Sequence, residues 1–224
     1  MVTQFKRINI IGYSLLLVIM SSLLTILFYH IFVFNTFAAA DDRTQALREV
    51  TAEQVATSPI TETNSIIEVL SYGCHYCAEI ESNMLEFART LPSGSTFKTI
   101  HIASDNNDGL AAWASLFATL EEMGIEDRFR DSAWNAVLAR NINLADEEAL
   151  TDWLNKNDID VETFRSVRRS DAVNARLKYM KDITRHYAID ATPVFIINKR
   201  YVVAQDSDFP EFARRLRQLL SEEK

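Results

Sequence analysis

A small mixed α/β sheet flanked by helices, with a block of helices inserted in its middle, is the fold class this sequence predicts. Three observations carry it. Residues 66–70 form an apolar run of strand length, interrupted only by Glu68, and such runs suit a strand covered on both faces. Between Gly109 and Tyr187 the apolar residues recur with helical spacing. After Pro193, two short β-branched and aromatic runs flank Asn198-Lys199, the pattern of a hairpin.

The elements follow in order. Residues 78–90 place Ile80, Met84, Leu85, Phe87 and Ala88 at helical spacing, and Pro92 and Gly94 stop the helix. Residues 96–102 alternate and read as a second strand. In the helical block, Leu110, Trp113, Leu116, Phe117 and Leu120 share a face that ends at Gly124, and further helices are expected over 125–139, 146–156, 161–167 and 172–187. The last of these has no evident break from its predecessor. A closing helix over 208–220 carries Phe209, Phe212, Leu216 and Leu219 at core spacing. Trp113, Trp134 and Trp153 fall on helix faces as core or groove residues, and Phe195, Ile197 and Tyr201 suit either the sheet core or a groove.

Ahead of this domain lies a different kind of segment. Residues 8–40 carry no formal charge; as a helix they would be about 50 Å long, more than a bilayer core requires. Two readings compete. The length favours an uncleaved anchor over residues 8–34, since a cleavable signal has a much shorter apolar region, whereas Ala38-Ala39-Ala40 before Asp41-Asp42 resembles a cleavage site. In both, Lys6 and Arg7 keep the amino end in the cytoplasm and the rest is exported, so a periplasmic or extracytoplasmic domain is expected, tethered to a bacterial inner membrane where the segment is uncleaved. Residues 1–40 form the anchor or signal, 41–59 a polar linker or short loose helix, and 60–224 the folded domain, with its helical insertion at about 107–187. The chain's net charge is −8, and Lys6 and Arg7 are the only charges before Asp41, so the remainder carries −10. That balance argues against a nucleic-acid partner, because phosphate contacts need clustered Lys and Arg.

The chemistry concentrates in Cys74-His75-Tyr76-Cys77, the chain's only cysteines, set between the first strand and its helix. Exported thiols meet an oxidising compartment. Cys74 at a helix start would have its thiolate favoured by unpaired N–H groups and the helix dipole, and His75 adds positive charge when protonated. Cys74 is thus the expected attacker and Cys77, a turn inward, the resolving thiol. A purely structural disulfide would close a loop too short to constrain the unfolded chain much. Zinc would need two more ligands, and although His101 and His186 are available, their spacing points to no site. Inert buried cysteines fit the helix start poorly. Neither a metal nor a cofactor is expected, and His101 and His186 read as packed or surface residues.

From about residue 65 to the carboxyl end the chain resembles the DsbA-like thiol–disulfide oxidoreductases. The motifs are Glu68-Val-Leu-Ser-Tyr-Gly-Cys74-His-Tyr-Cys77 and Ala191-Thr192-Pro193-Val194-Phe195-Ile196-Ile197-Asn198, with Gly124-Ile125-Glu126-Asp127 in the insertion. The resemblance implies a thioredoxin-like fold with a helical insertion. It also implies a cis Pro193 against the cysteines, with Thr192 offering its backbone to a substrate strand. Glu68 is implied as an acid beneath the cysteines that accepts or relays the Cys77 proton. The family's nearby basic partner has no secure match, because Lys98 lies one position out on its strand and so faces the other way.

The implied activity is that of a disulfide oxidase acting on cysteine-containing substrate proteins, with a membrane redox partner that resets the pair. Departures leave alternatives open. Tyr76 before the second cysteine and Thr192 before the proline look more like the superfamily's isomerases and reductases. A tethered chaperone or adaptor with incidental redox activity is the reading from another class.

Overall fold

In the computed structural model, β2 (Ser65–Leu70) is buried at every residue, as its near-continuous apolarity predicts. It pairs in parallel with β3 (Thr96–His101) and antiparallel with β4 (Val194–Ile197). β4 continues through a turn into β5 (Tyr201–Val203), whose outer edge pairs antiparallel with β1 (Leu47–Glu49). The strand order is therefore β1-β5-β4-β2-β3. At the hairpin Asn198 and Lys199 both have positive φ, 51° and 62°, and the Arg200 N–H donates to the Ile197 carbonyl at 2.9 Å. Two left-handed residues in succession twist the turn to match the strands.

Alternation along the strands makes two cores. Ile66, Phe195, Ile197 and Val203 pack with Ile80, Met84 and Phe87 of α3 (His75–Arg89) and with Phe212 and Leu216 of α9 (Phe209–Ser221). Ile67, Val69, Ile100, Ile196 and Val202 face the inserted helices. Those are α4 (Ala114–Glu122), α5 (Glu126–Trp134), α6 (Glu147–Lys156), α7 (Val161–Arg168) and α8 (Asp171–His186). A short 3₁₀ turn, Gly109–Ala111, leads into α4. Phe195, Ile197 and Tyr201 are core residues, not groove lining.

Several boundaries differ from the sequence reading. Residues 125–139 are not one α-helix: α5 stops at Trp134 and Asn135–Ala139 continues as a π turn. Ser170 separates α7 from α8, its side chain accepting from the Val173 N–H at 3.2 Å, which is an N-cap the helical spacing had masked. Residues 47–49, expected in the linker, belong to the sheet, and Ala52–Ala56 (α2) is a short helix with a capping box at Thr51 and Gln54.

The structure describes residues 2–29 and 46–222, in two units divided at Gln45 and Ala46. The first unit is helix α1, Val2–Phe28. Among the described residues no helix is long and apolar enough to cross a membrane. The expected anchor over 8–34 falls largely on α1; residues 30–34, the Ala38–Ala40 cleavage motif and residues 41–45 lie outside the described residues.

Candidate functional site

The β2 strand ends at Leu70, and four residues later Cys74 caps the start of α3. Ser71 shapes this connection: its hydroxyl donates to the Leu110 carbonyl at 2.7 Å and accepts from the Gly73 N–H at 3.0 Å. Trp134 of α5 donates its indole N–H to the Ser71 carbonyl at 3.0 Å, fixing the insertion against the same turn. Gly73 has a specific reason to be glycine. A Cβ there would sit 2.5 Å from Cζ3 of the Trp113 ring, so the ring lies directly on the backbone beside Cys74. Gly73→Ala is expected to push the indole aside and destabilise the fold by about 1–3 kcal/mol, read by urea unfolding with Trp fluorescence.

Cys74 and Cys77 form a disulfide, with Cα atoms 5.3 Å apart. Cys74 is 6 % exposed and Cys77 fully buried, so an incoming thiol can reach only the first sulfur. The Cys77 N–H donates to Cys74 Sγ at 3.1 Å, making the sulfur itself the helix N-cap. Cys74 Sγ also lies 3.3 Å from the Thr192 carbonyl oxygen, and the Thr192-Pro193 bond is cis. Tyr76 is 71 % exposed beside the pair. His75, also exposed, borders a cleft of about 430 Å³ with Ala78, Glu79, Asp131, Trp134 and Asn135.

Glu68 is 1 % exposed on β2, on the face turned toward α3. Thr99, its partner across the β2–β3 ladder, donates its hydroxyl to Oε2 at 3.3 Å, while Oε1 meets no hydrogen-bonding group among the described residues. Burial, reinforced by the negative charge of Glu81, pushes the Glu68 carboxyl up to about 8. At neutral pH this side chain therefore holds its proton while the disulfide is intact. The acid that the resemblance implies would accept or relay the Cys77 proton is thus protonated before any exchange begins.

The register also decides the fate of Lys98. Because Glu68 opposes Thr99, Lys98 points to the other face. There it pairs with Glu62 at 3.3 Å and lies 4.9 Å from the centre of the Tyr179 ring. His101 is packed, as expected. Its Nδ1 and the Ile102 carbonyl oxygen are 2.7 Å apart, and its Nε2 accepts from the Tyr72 N–H at 3.1 Å. Burial lowers it to about 4, which keeps the ring neutral. His186, at the end of α8, bonds the Gln54 carbonyl at 2.8 Å.

What the sequence did not single out is the charged cluster beside Glu68. Arg130 of α5 is only 6 % exposed. It donates to Glu81 of α3 at 2.6 Å, to both oxygens of Glu126, and to Asp127 at 2.9 Å. Tyr72 donates to Glu126 Oε1 at 2.8 Å. One signal was available: Glu126, Phe129, Arg130, Ala133 and Trp134 share the buried side of α5 at helical spacing, so the ions must be buried with the apolar residues.

Set against known proteins, the chain matches the family model described as "DSBA-like thioredoxin domain" over residues 82–217, more than half its length. It belongs to that family. It is 25 % identical over 171 residues to the thiol:disulfide interchange protein DsbA of Pseudomonas aeruginosa, spanning 75 % of this chain and 79 % of that one. It is 27 % identical over 139 residues to DsbA of Bordetella pertussis, spanning 62 % and 65 %. Among solved structures, P. aeruginosa DsbA superposes with a TM-score of 0.67 at 23 % identity, over 83 % of this chain and 97 % of that one. NmDsbA1 of Neisseria meningitidis gives 0.65 at 20 % identity, over 80 % and 92 %. The fold is the thioredoxin-like α/β fold with a helical insertion. With the Cys74–Cys77 pair at its helix start, this DsbA-like chain is a thiol–disulfide oxidoreductase.

Proposed function

We propose that the chain is an oxidase: it donates the Cys74–Cys77 disulfide to cysteine-containing proteins. A substrate thiolate attacks Cys74 Sγ; the Cys74–Cys77 bond breaks and a mixed disulfide forms. Cys77 leaves as a thiolate into a buried site and takes the proton held by Glu68. A second substrate thiolate then attacks the substrate sulfur of the mixed disulfide, and Cys74 leaves as a thiolate. The substrate has lost two electrons and carries a new disulfide, and the protein has gained them as a dithiol. The cis Thr192-Pro193 segment presents the Thr192 backbone beside Cys74, where an extended substrate strand would pair, and His75 and Tyr76 tune the thiolate from the helix's first turn.

The observation that carries this direction is the Cys77 N–H bonded to Cys74 Sγ at 3.1 Å. That donor and the helix start favour a negative sulfur, hence the reduced form, and a stabilised reduced form makes the disulfide a stronger oxidant. Equilibration of the pair with glutathione is expected to give a potential well above that of thioredoxin. A value near roughly −270 mV would instead favour the reductase or isomerase direction to which Tyr76 and Thr192 point.

The setting belongs to the same proposal. The uncharged run over residues 8–40 behind Lys6 and Arg7 supports export and tethering at the inner membrane. In that setting a membrane redox partner reoxidises the dithiol, and exported proteins with cysteines are the substrates. A reporter fused after residue 45 should be active only on the extracytoplasmic side, and the native chain should stay with membranes in alkaline carbonate. Release by carbonate as a shortened chain would point to cleavage after Ala40.

A further inference from the structure

Arg130 brings a full positive charge into the interior from the helical insertion, and its partners lie at both ends of the redox segment. Through Glu126 it is linked to Tyr72, two residues before Cys74. Through Glu81 it holds α3 one turn beyond Cys77. Arg130 and Glu126 also border, with Leu85 and Thr99, a cleft of about 370 Å³, and Thr99 is the residue bonded to Glu68. A buried ion is costly to desolvate, and one that spans two elements and a loop is well placed to impose an arrangement on them.

The charge balance of this cluster is uneven. Glu68, Glu81 and Glu126 are all buried, and one buried guanidinium faces them. Two of the acids bond that guanidinium directly; Glu68 has only the Thr99 hydroxyl. Burial raises the Glu81 carboxyl, and the Arg130 charge offsets only part of that rise; its 2.6 Å bond to Arg130 has the length of a charge-assisted contact. We propose that Arg130 is a positioning residue that engages Glu81 and Glu126 in ion pairs, leaving Glu68 as the acid that keeps its proton for Cys77. The inference rests on the proposed role of Glu68 as proton donor.

The groups that act on Glu68 come from each neighbouring element. Glu81 on α3 opposes its ionisation, Arg130 on α5 favours it, and Glu126 on α5 opposes it. Around the ion pairs stand Asp127 and Asp131 of α5, the Tyr72 hydroxyl, and Glu121 of α4, while His101 is neutral and Lys98 is engaged with Glu62. Changing Glu81 and changing Arg130 should therefore move Glu68 in opposite directions. A mere clamp between helices would move neither.

The test is a titration of the full-length oxidised protein with ¹³C-carboxyl glutamate, the Glu68 resonance being assigned by its loss in Glu68→Gln. The wild-type midpoint is expected near 8. Glu81→Gln should lower it and Arg130→Met raise it, each by about one pH unit, while Arg130→Lys should stay near wild type. An unchanged midpoint in Glu81→Gln, or in both Glu81→Gln and Arg130→Met alongside lowered thermal stability, would overturn the proposal. If Arg130→Met does not fold, Glu81→Gln still decides. The proton-donor reading fails separately: in that case Glu68→Gln would leave the exchange rate and its pH profile unchanged, whatever the titrations give.

Discussion

Glu68→Gln should flatten the alkaline side of the oxidised protein's stability curve. The acid titrates near 4.5 when unfolded and at about 8 when folded. Between those values the native state binds the extra proton, so wild-type stability falls as pH rises. The contribution is complete below about 4.5 and has gone once pH passes the folded value. Its slope is about 1.4 kcal/mol per pH unit, at most about 5 kcal/mol across the window. Gln keeps the shape and never ionises, so the difference between the two unfolding curves should grow steadily in favour of the variant from pH 5 to pH 8. A constant offset means that Glu68 is ionised throughout. His101 acts with the opposite sign: lowered to about 4 by burial, it contributes stability above about 6.5 that is lost toward acid. The same variant should slow disulfide donation at neutral pH by about 100-fold, because the departing Cys77 sulfur loses its proton source.

The two cysteines should prove strongly unequal. Cys74→Ser should abolish exchange, since the remaining thiol is fully buried and lacks the capping N–H. Cys77→Ser should leave a Cys74 thiol that reacts with a small aromatic disulfide faster than Cys77 alone does, by about 100-fold or more, in line with the weight of exposure and thiolate character. It should then stop at the mixed disulfide. In cells, that variant should accumulate covalent adducts visible on non-reducing gels and lost with reductant, and mass spectrometry of the adducts names substrate and redox partner together. Equal reactivity of the two single-cysteine proteins would remove the division of labour between attacker and resolver. Serine is chosen at 74 because its hydroxyl still caps α3, whereas alanine would add about 1 kcal/mol of helix destabilisation to the chemical effect.

The parts of this arrangement that were legible in the sequence are those dictated by local pattern. The apolar run of β2, the cysteines at the following helix start, and the Asn198-Lys199 turn each carry their own signal. The resemblance added the cis bond at Pro193, which base rates alone would not suggest. Lys98 shows how one residue of register separates a plausible counter-ion from an irrelevant one. Arg130 was hidden for a different reason. Its helix is strongly polar, and apart from the spacing it shares with Phe129, Ala133 and Trp134 nothing local shows that Glu126 and Arg130 are covered by α3 and the Tyr72 loop. β1 was missed because three residues, Leu-Arg-Glu, show no alternation long enough to read; only their pairing with β5 makes them a strand.

That small strand has a consequence for a protein whose proposed partners are unfolded chains. An open sheet edge recruits extended polypeptide without discrimination, and a factor that handles such polypeptide would risk fibrillar co-aggregation with its clients. Here β5 is covered by a strand of only three residues, and the covering strand carries Arg48 and Glu49, the latter ion-paired with Arg200. A short, charged margin is a poor template for further strands. At this end of the sheet, strand addition is disfavoured by the margin itself rather than by a covering helix.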